Sequence, residues 1–152
     1  EISSLLKSKD LAKSVERLIE KNQSLKSEIE SLKKEKAKGE TASWKNDFKE
    51  SGDKNLLVKK VSLDAGSVKD IVFQLKKEIP NSVTVIISDA DGKPMITVGV
   101  SADLESKYHA GNIVKELAIA IQGGGGGNPG FATAGGKNLE GIDAAVKKAM
   151  EL

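Results

Sequence analysis

A run of five consecutive glycines, residues 123–127, constrains this chain more than any other feature of its sequence. The run lies between two segments with helical periodicity, and Asn128, Pro129, Gly130 and Phe131 follow it directly. Because glycine has no Cβ, such a segment lets the backbone approach a ligand closely and can present several N–H groups on one concave surface. The alternative is a flexible linker, but the run lacks the Ser and Thr residues that linkers usually contain. We therefore expect a loop with a role in ligand binding or packing.

The apolar pattern of the rest of the chain predicts an α/β (α+β) fold, with a small mixed sheet and helices packed on it. Strands are predicted over residues 56–63, 83–88, 95–100 and, as a short extra strand, 131–134. Helices are predicted over residues 64–79, 109–121 and 139–152. The last helix is expected to be buried through Ile142, Ala145, Val146, Ala149 and Met150.

A coiled-coil helix is predicted in front of the globular part. After a short helix over residues 1–8, Asp10 is the expected N-cap and Gly39 the expected end of the long helix. Core positions between them alternate in steps of four and three, as in a heptad repeat. The predicted dimer seam comprises Val15, Leu18, Asn22, Leu25, Ile29 and Leu32. The partner is either a helix upstream of this sequence or, as we favour, a second copy of the chain.

Two aromatic residues, Trp44 and Phe48, lie four residues apart on a short helix predicted over residues 41–50. They could stack on bases, but packing of this helix against the globular part or the coiled coil is the favoured interpretation. The expected division is a helical dimerisation segment over residues 1–50 and a glycine-rich, nucleic-acid-binding domain over residues 51–152.

The distribution of charge limits how the chain could bind nucleic acid. Residues 1–40 contain 10 Lys/Arg and 8 Asp/Glu, whereas residues 41–152 contain 14 of each. A domain that binds nucleic acid by general electrostatics carries a basic surplus, which this one lacks. Any contact must therefore be local, through a small patch and a backbone-lined loop.

The composition also argues against catalysis. The chain has no Cys and one His, which excludes a disulfide framework, a thiolate metal site and a His-based metal cluster. The glycine run lacks the Gly-Lys-Ser/Thr ending of a P-loop, and a helix precedes it where a dinucleotide-binding fold has a strand. Asp89 and Asp91 begin a turn that lacks the later ligands of a calcium loop. We expect no catalytic residue, metal or cofactor in this chain.

Targeting signals are absent from the sequence. It has no apolar run near the length of a membrane span and no signal-peptide pattern, so a cytoplasmic location is expected. Because the sequence begins at Glu1, we expect it to be a piece of a longer protein.

The candidate binding residues surround the glycine run. Consecutive N–H groups would suit a phosphate oxygen, a Tyr-His pair between lysines could stack on bases, and an Asn could donate to a sugar or phosphate. The predicted nucleic-acid-binding residues are Lys107, Tyr108, His109, Lys115, Gly124, Gly125, Gly126, Gly127, Asn128 and Lys137. The alternative for each is a solvated lysine, an aromatic side chain at the edge of the core, or a residue at a helix start.

Residues 122–136, the helix over 110–118 and the hairpin residues 91–93 and 98–101 together resemble the glycine-rich C-terminal domain of alanyl-tRNA synthetases. DHH-type phosphoesterases and single-strand exonucleases share that domain. The resemblance implies a module that binds the outer corner of alanine-specific tRNA and helps present it for aminoacylation and editing. It also implies a homodimer formed by an antiparallel coiled coil.

Two departures from the family's motif stand out. The familiar bacterial motif has an Arg before its Pro and Asp-Met after it, whereas Asn128 precedes Pro129 here and Gly130-Phe131 follow. The missing Arg removes an obvious phosphate contact, and Phe131 keeps a large apolar side chain at the Met-like position. Two alternatives remain open: a purely structural dimerisation domain, or a single-strand nucleic-acid-binding domain of a DHH-type phosphoesterase.

Overall fold

The computed structural model describes residues 10–89 and 92–152, so the predicted helix over residues 1–8 and Asp91 lie outside the described residues. The chain divides into two compact units, residues 1–36 and residues 37–152. The functional division at residue 50 stays a prediction.

The long helix, α1, spans Leu11–Trp44. The Asp10 carboxylate accepts a hydrogen bond from the backbone N–H of Lys13 at 3.1 Å, which confirms the predicted N-cap. The prediction that Gly39 ends this helix is wrong. A glycine inside a helix costs only about 1 kcal/mol relative to alanine, and burial of Thr41 and Trp44 beyond it stabilises the continuation.

Within the first unit, α1 exposes a row of large apolar side chains at coiled-coil spacing. Their exposed fractions range from 37% to 58%, where core side chains are below 9%. The exposed side chains are Leu11, Val15, Leu18, Ile19, Leu25, Ile29 and Leu32. Asn22 is exposed as well. In this single chain, the predicted seam is therefore an uncovered apolar face.

In the described part of the chain, six strands form one mixed sheet in the order β1-β2-β3-β4-β6-β5. The strands are β1 (Lys49–Ser51), β2 (Lys54–Val61), β3 (Ser82–Ser88), β4 (Met95–Val100), β5 (Gly124–Asn128) and β6 (Phe131–Gly135). Strands β2 and β3 pair in parallel, and the other four pairings are antiparallel. Three further helices are α2 (Ala65–Glu78), α3 (Ala110–Ala118) and α4 (Ile142–Met150). This confirms the predicted mixed α/β class with helices packed on the sheet.

The helices cover both faces of the sheet. Strand β3 is buried along its whole length, and its side chains alternate between two cores, as the period of a strand requires. Val83, Val85 and Ile87 pack with α3 and α4 on one face. Ile86 packs with α2 and Trp44 on the other. Phe48 is half-buried against this second core, so the predicted packing of Trp44 and Phe48 on the globular part is confirmed.

Two local predictions are wrong. Residues 49–51, expected as a helix end and loop, form the short strand β1, because Lys49, Glu50 and Ser51 pair with β2 across a Gly52-Asp53 turn. Met150, expected in the core, is 61% exposed. The buried face of α4 is set by Ile142, Ala145 and Ala149, and Met150 lies about 100° around the helix from Ala149.

Candidate nucleic-acid interface

The glycine run forms an edge strand and not the predicted loop. Gly124–Asn128 is strand β5, and it pairs antiparallel with β6, with Gly124 opposite Gly135 and Asn128 opposite Phe131. Backbone contacts hold most of this strand, because it carries almost no side chains. The alternation that identifies other strands is therefore missing from its sequence.

Two glycines of β5 are required by packing. A Cβ built on Gly125 would collide with the carbonyl oxygen of Thr133, and one on Gly127 would collide with the carbonyl oxygen of Phe131. In both cases the obstacle is the backbone of β6, which a side-chain rotation cannot move. These positions exclude every residue except glycine for a structural reason.

Other glycines of the same hairpin are not required by packing. A Cβ on Gly124 or Gly135 would meet no described heavy atom within 4 Å. On Gly126, it would meet only the Cε atom of Lys115, at 3.8 Å, within the described chain. These residues leave bare backbone on the surface, which a planar or charged ligand can approach closely.

A groove of about 550 Å³ opens beside these exposed glycines. Its lining is glycine backbone, one Gln and two lysines: Gly92, Lys93, Gln122, Gly123, Gly124, Gly135, Gly136 and Lys137. We name it the glycine groove. It contains Gly124 and Lys137 from the predicted site.

Lys93 and Gln122 belong to the glycine groove but were not predicted as site residues. The backbone N–H of Gly136 donates to the carbonyl of Pro94 at 2.9 Å, which fixes the β3–β4 turn beside the end of β6. Gln122 has a φ of +49°, a left-handed conformation that non-glycine residues adopt rarely and that is enriched at functional sites. The sequence signal for Lys93 was its place in an Asp-Gly-Lys turn.

Helix α3 packs tightly along the glycine strand. A Cβ on Gly111 would come within 2.8 Å of the carbonyl oxygen of Gly127, so this glycine permits the close approach. The backbone N–H of Ala110 donates to the carbonyl of Pro129 at 2.9 Å. Lys115 lies one turn further along α3, and its aliphatic stem lies over Gly126. The structure therefore brings Lys115 to the glycine strand.

The side chains of Asn128 and His109 both accept hydrogen bonds from backbone N–H groups of the chain. The Asn128 side-chain oxygen accepts from the N–H groups of Gly130 (3.0 Å) and Phe131 (2.8 Å), which closes the β5–β6 turn. The Nδ1 atom of His109 accepts from the N–H of Gly111 at 3.1 Å and caps α3. Each side chain also has an N–H donor that these bonds do not use: the amide NH2 of Asn128 and the Nε2–H of His109.

Lys107 and Tyr108 contact a different part of the molecule, the β1–β2 turn. The Tyr108 hydroxyl donates to the Asp53 carboxylate at 2.7 Å, and Lys107 forms an ion pair with the same carboxylate. Two hydrogen bonds, the stronger influence from Lys107 and the weaker from Tyr108, lower the pKa of Asp53 to about 2. The pKa of Lys107 is raised by the same partner. The polar groups of these two predicted residues are thus engaged within the chain.

The structure offers neither a metal site nor a membrane-spanning helix within the residues it describes. Among residues 10–89 and 92–152, no three or more His, Asp or Glu side chains cluster in a way that could hold a metal ion. Over the same ranges, none of the helices has the length and hydropathy needed to cross a membrane.

The mixed sheet with a glycine-rich edge strand agrees with a family assignment for this part of the chain. The chain belongs to the DHHA1 domain family, which matches residues 53–152.

Within that family, the relatives are aminoacyl-tRNA synthetases. The chain is 45% identical over 149 residues to the alanine–tRNA ligase of Christiangramia forsetii and 41% identical over 145 residues to that of Bacteroides thetaiotaomicron. These matches cover 97% and 94% of this chain but 17% of each relative, so the chain spans about a sixth of their length.

A solved structure shows the same architecture. The C-Ala domain of alanyl-tRNA synthetase from Aquifex aeolicus superposes with a TM-score of 0.64 at 26% identity, covering 68% of this chain and 95% of that domain. The resemblance to the glycine-rich C-terminal domain of alanyl-tRNA synthetases is therefore confirmed.

Proposed function

We propose that this chain is a tRNA-binding and dimerisation module of a cytoplasmic alanyl-tRNA synthetase. In this proposal, it docks the outer corner of alanine-specific tRNA and so helps present one tRNA to aminoacylation and editing sites elsewhere in the enzyme. The chain itself carries out no catalytic step. Its similarity to alanine–tRNA ligases supports the choice of tRNA.

The glycine groove is the observation that carries the proposal. It combines bare backbone at Gly124 and Gly135 with two lysine side chains, Lys93 and Lys137, in a space of about 550 Å³. Lysine ammonium groups bind phosphate oxygens without any need for sequence-specific contacts, and backbone without Cβ atoms lets a phosphate approach closely. The site fits a sugar–phosphate backbone that passes close to the protein surface.

The charges around the groove explain how a neutral domain could bind a polyanion. Within the described residues of the globular unit, five lysines form ion pairs with carboxylates: Lys45, Lys59, Lys60, Lys76 and Lys107. Lys93 and Lys137 form no ion pair with any residue that the structure describes. The charges of these two groove lysines are therefore not neutralised by a described carboxylate, although Lys and Arg balance Asp and Glu over residues 41–152.

The apolar face of α1 supports the dimerisation part of the proposal. Its leucine, isoleucine and valine side chains are about half exposed over residues 11–32. The stripe spans 22 residues, which corresponds to about 33 Å of helix. An apolar stripe of this length is stable in water when a second helix covers it, and a second copy of the chain offers a complementary stripe.

A purely structural dimerisation domain is the second candidate. Its specific support is that Gly111, Gly125, Gly127 and Gly136 each serve close packing of backbone or side chains. A purely structural role does not explain why the positions of Gly124 and Gly135 are glycine, since a Cβ there would meet open space. For this reason we favour tRNA binding.

Fluorescence anisotropy of labelled alanine tRNA tests the proposal. The chain is titrated at low and at physiological salt against whole tRNA and against a hairpin that lacks the tRNA corner. We expect binding to whole tRNA that weakens as salt rises, and little binding to the hairpin. The double variant Lys93→Ala/Lys137→Ala should weaken binding. The slope of log affinity against log salt concentration should also become shallower, by about one for each phosphate contact that is lost.

Lys147→Ala/Lys148→Ala is the matched control, because it removes two exposed lysine charges from α4, outside the groove. Absence of tRNA binding at low salt would contradict the RNA proposal and favour the structural candidate. An equal loss of affinity in the α4 and groove variants would show nonspecific attraction.

Dimerisation is tested separately by sedimentation equilibrium of the chain. Replacing Leu25 and Ile29 with Glu introduces charge into the middle of the apolar stripe, and we expect a shift from dimer to monomer. Lys26→Glu changes charge within the same segment and is the control. A wild-type chain that remains monomeric at high micromolar concentration would contradict a second copy as the partner.

A further inference from the structure

An aromatic pair lies on the surface of the globular unit at the tip of the glycine hairpin. Phe73 on α2 and Phe131 on β6 stack with ring centroids 4.8 Å apart and an interplanar angle of 23°. Phe73 remains 44% exposed, whereas the other aromatic residue of α1 and α2, Trp44, is 8% exposed. We name this pair the phenylalanine platform.

Two lysine ammonium groups lie over the Phe73 ring. The Nζ atoms of Lys69 and Lys76 lie 5.9 Å and 5.7 Å from the centroid of the Phe73 ring. Lys76 also donates to the carbonyl of Gly130 at 2.9 Å and approaches Glu105 at 3.4 Å, so its position is fixed against the β5–β6 turn. An exposed aromatic face between lysines can stack on a base and attract its phosphate, and every nucleobase has such a face.

The platform lies on the same side of β6 as part of the glycine groove. Ala132 and Ala134 are buried in the core beneath α3, so Phe131, Thr133 and Gly135 face the opposite side. Thr133 and Gly135 are exposed there. From Phe131 to Gly135 the strand rises about 14 Å. One RNA segment could therefore contact the platform with a base and the groove with its phosphates.

We propose that Phe73 and Phe131 form a stacking surface for an unpaired nucleobase of RNA. The proposal rests on the tRNA-binding function above and adds a base contact to the phosphate contacts of the groove. The Phe73 ring provides the accessible face, and the Phe131 ring behind it keeps that face in position. Lys69 neutralises the phosphate next to the bound base.

Tryptophan fluorescence tests the stacking directly. In Phe73→Trp, the introduced indole lies on the surface, while the buried Trp44 gives a background that the wild-type titration measures. The probes are an adenine-rich single-stranded RNA and an abasic strand of the same length and charge. We expect the RNA to quench the fluorescence of the introduced indole and the abasic strand to leave it unchanged. No quenching by the RNA, or equal quenching by both strands, would overturn the proposal.

Affinity for tRNA gives a second readout. Phe73→Leu keeps an apolar side chain but removes the aromatic face, and it should weaken binding roughly tenfold, as expected for the loss of one base–aromatic stack. Phe73→Tyr should bind like the wild type. Ile119→Ala removes an apolar side chain that is 73% exposed on another surface and serves as the control.

The two proposals fail in distinguishable ways. If Phe73→Leu binds tRNA as the wild type does while the Lys93/Lys137 variant binds weakly, the platform is refuted and the groove stands. If the wild-type chain does not bind tRNA but single-stranded RNA still quenches the indole of Phe73→Trp, the platform binds single-stranded RNA and the tRNA function is refuted.

Discussion

The two edges of the sheet are held by different means. At the β1 edge, side chains close the structure: Lys107 and Tyr108 bind Asp53 in the β1–β2 turn, and Lys54 donates to the Tyr108 hydroxyl at 3.3 Å and to the backbone oxygen of Leu152 at 2.5 Å. At the β5 edge, backbone packs on backbone, with Gly125 and Gly127 against β6.

This difference indicates which edge can bind a ligand. At the β1 edge, Lys54 and Lys107 are engaged within the chain. The β5 edge is held mainly by backbone, with the Asn128 side chain closing its turn, and Lys93, Lys137 and the backbone of Gly124 lie exposed around one groove. An edge strand without side chains is weak on its own, but it is also the surface that a phosphate backbone can approach most closely.

The largest expected effect concerns the packing glycines of the β5 edge. Gly125→Ala forces a Cβ into the backbone of β6 and should lower the free energy of unfolding by about 1–3 kcal/mol. Gly124→Ala, one residue away in open space, should change it by less than about 0.5 kcal/mol. Urea denaturation measures both. Equal effects of the two variants would mean that β5 is not held by close backbone packing.

The same pair separates folding from binding. Gly124→Ala leaves the fold intact but places a methyl group at the groove, so it should weaken tRNA binding without changing stability. Gly125 is the poorer probe of function, because its replacement disturbs the strand itself. A Gly124→Ala variant with unaltered affinity for tRNA would argue against close approach of RNA at this residue.

The next effect compares lysines at the two edges. Lys93→Ala and Lys137→Ala together should reduce the affinity for tRNA roughly tenfold, since each removes a cation close to the proposed phosphate path. Lys107→Ala should have little effect on affinity, because its charge is already neutralised by Asp53. Anisotropy titrations at one fixed salt concentration measure both. A larger loss for Lys107→Ala would reverse the assignment of the two edges.

Much of the fold could be predicted from the sequence where local signals and burial agree. Strand β4 has the predicted bounds, Met95–Val100, and α2 begins after Asp64, whose side chain accepts from the N–H of Ser67 at 3.2 Å. The continuation of α1 beyond Gly39 depends on burial of Thr41 and Trp44 in a core built by distant residues. Local propensity cannot include such long-range contacts.

The candidate site could be predicted only in part. The glycine run and Lys137 were identified, but the strand character of β5 arises from pairing with β6 and leaves no periodic pattern. Lys93 reads as a solvated turn residue until Gly136 bonds to Pro94 beside it. Phe73 and Phe131 are far apart in the sequence, so only the three-dimensional structure shows that their rings meet.

The smallest expected effect is a pH dependence at the β1 edge. The pKa of Asp53 is lowered to about 2 by its hydrogen bonds, so the folded state favours the ionised carboxylate. The resulting stabilisation is present above the carboxyl's unfolded pKa of about 4 and is lost as the pH falls through about 2. Asp53→Asn should remove this component, so that its Tm falls less than that of the wild type between pH 4 and pH 2.

A carboxyl-carbon NMR titration of the wild type provides the matching observation. An Asp53 resonance that titrates near pH 4 would contradict the proposed interaction with Lys107 and Tyr108. In that case, Lys107 and Tyr108 would again be candidates for RNA binding.

Amide chemical-shift changes on addition of alanine tRNA would show directly where the RNA contacts the chain. We predict the largest changes at Gly124, Gly135, Lys93 and Lys137, and little change at Asp53, Lys107 and Tyr108. Changes centred on Asp53, Lys107 and Tyr108, with the glycine groove unaffected, would contradict RNA binding at the groove.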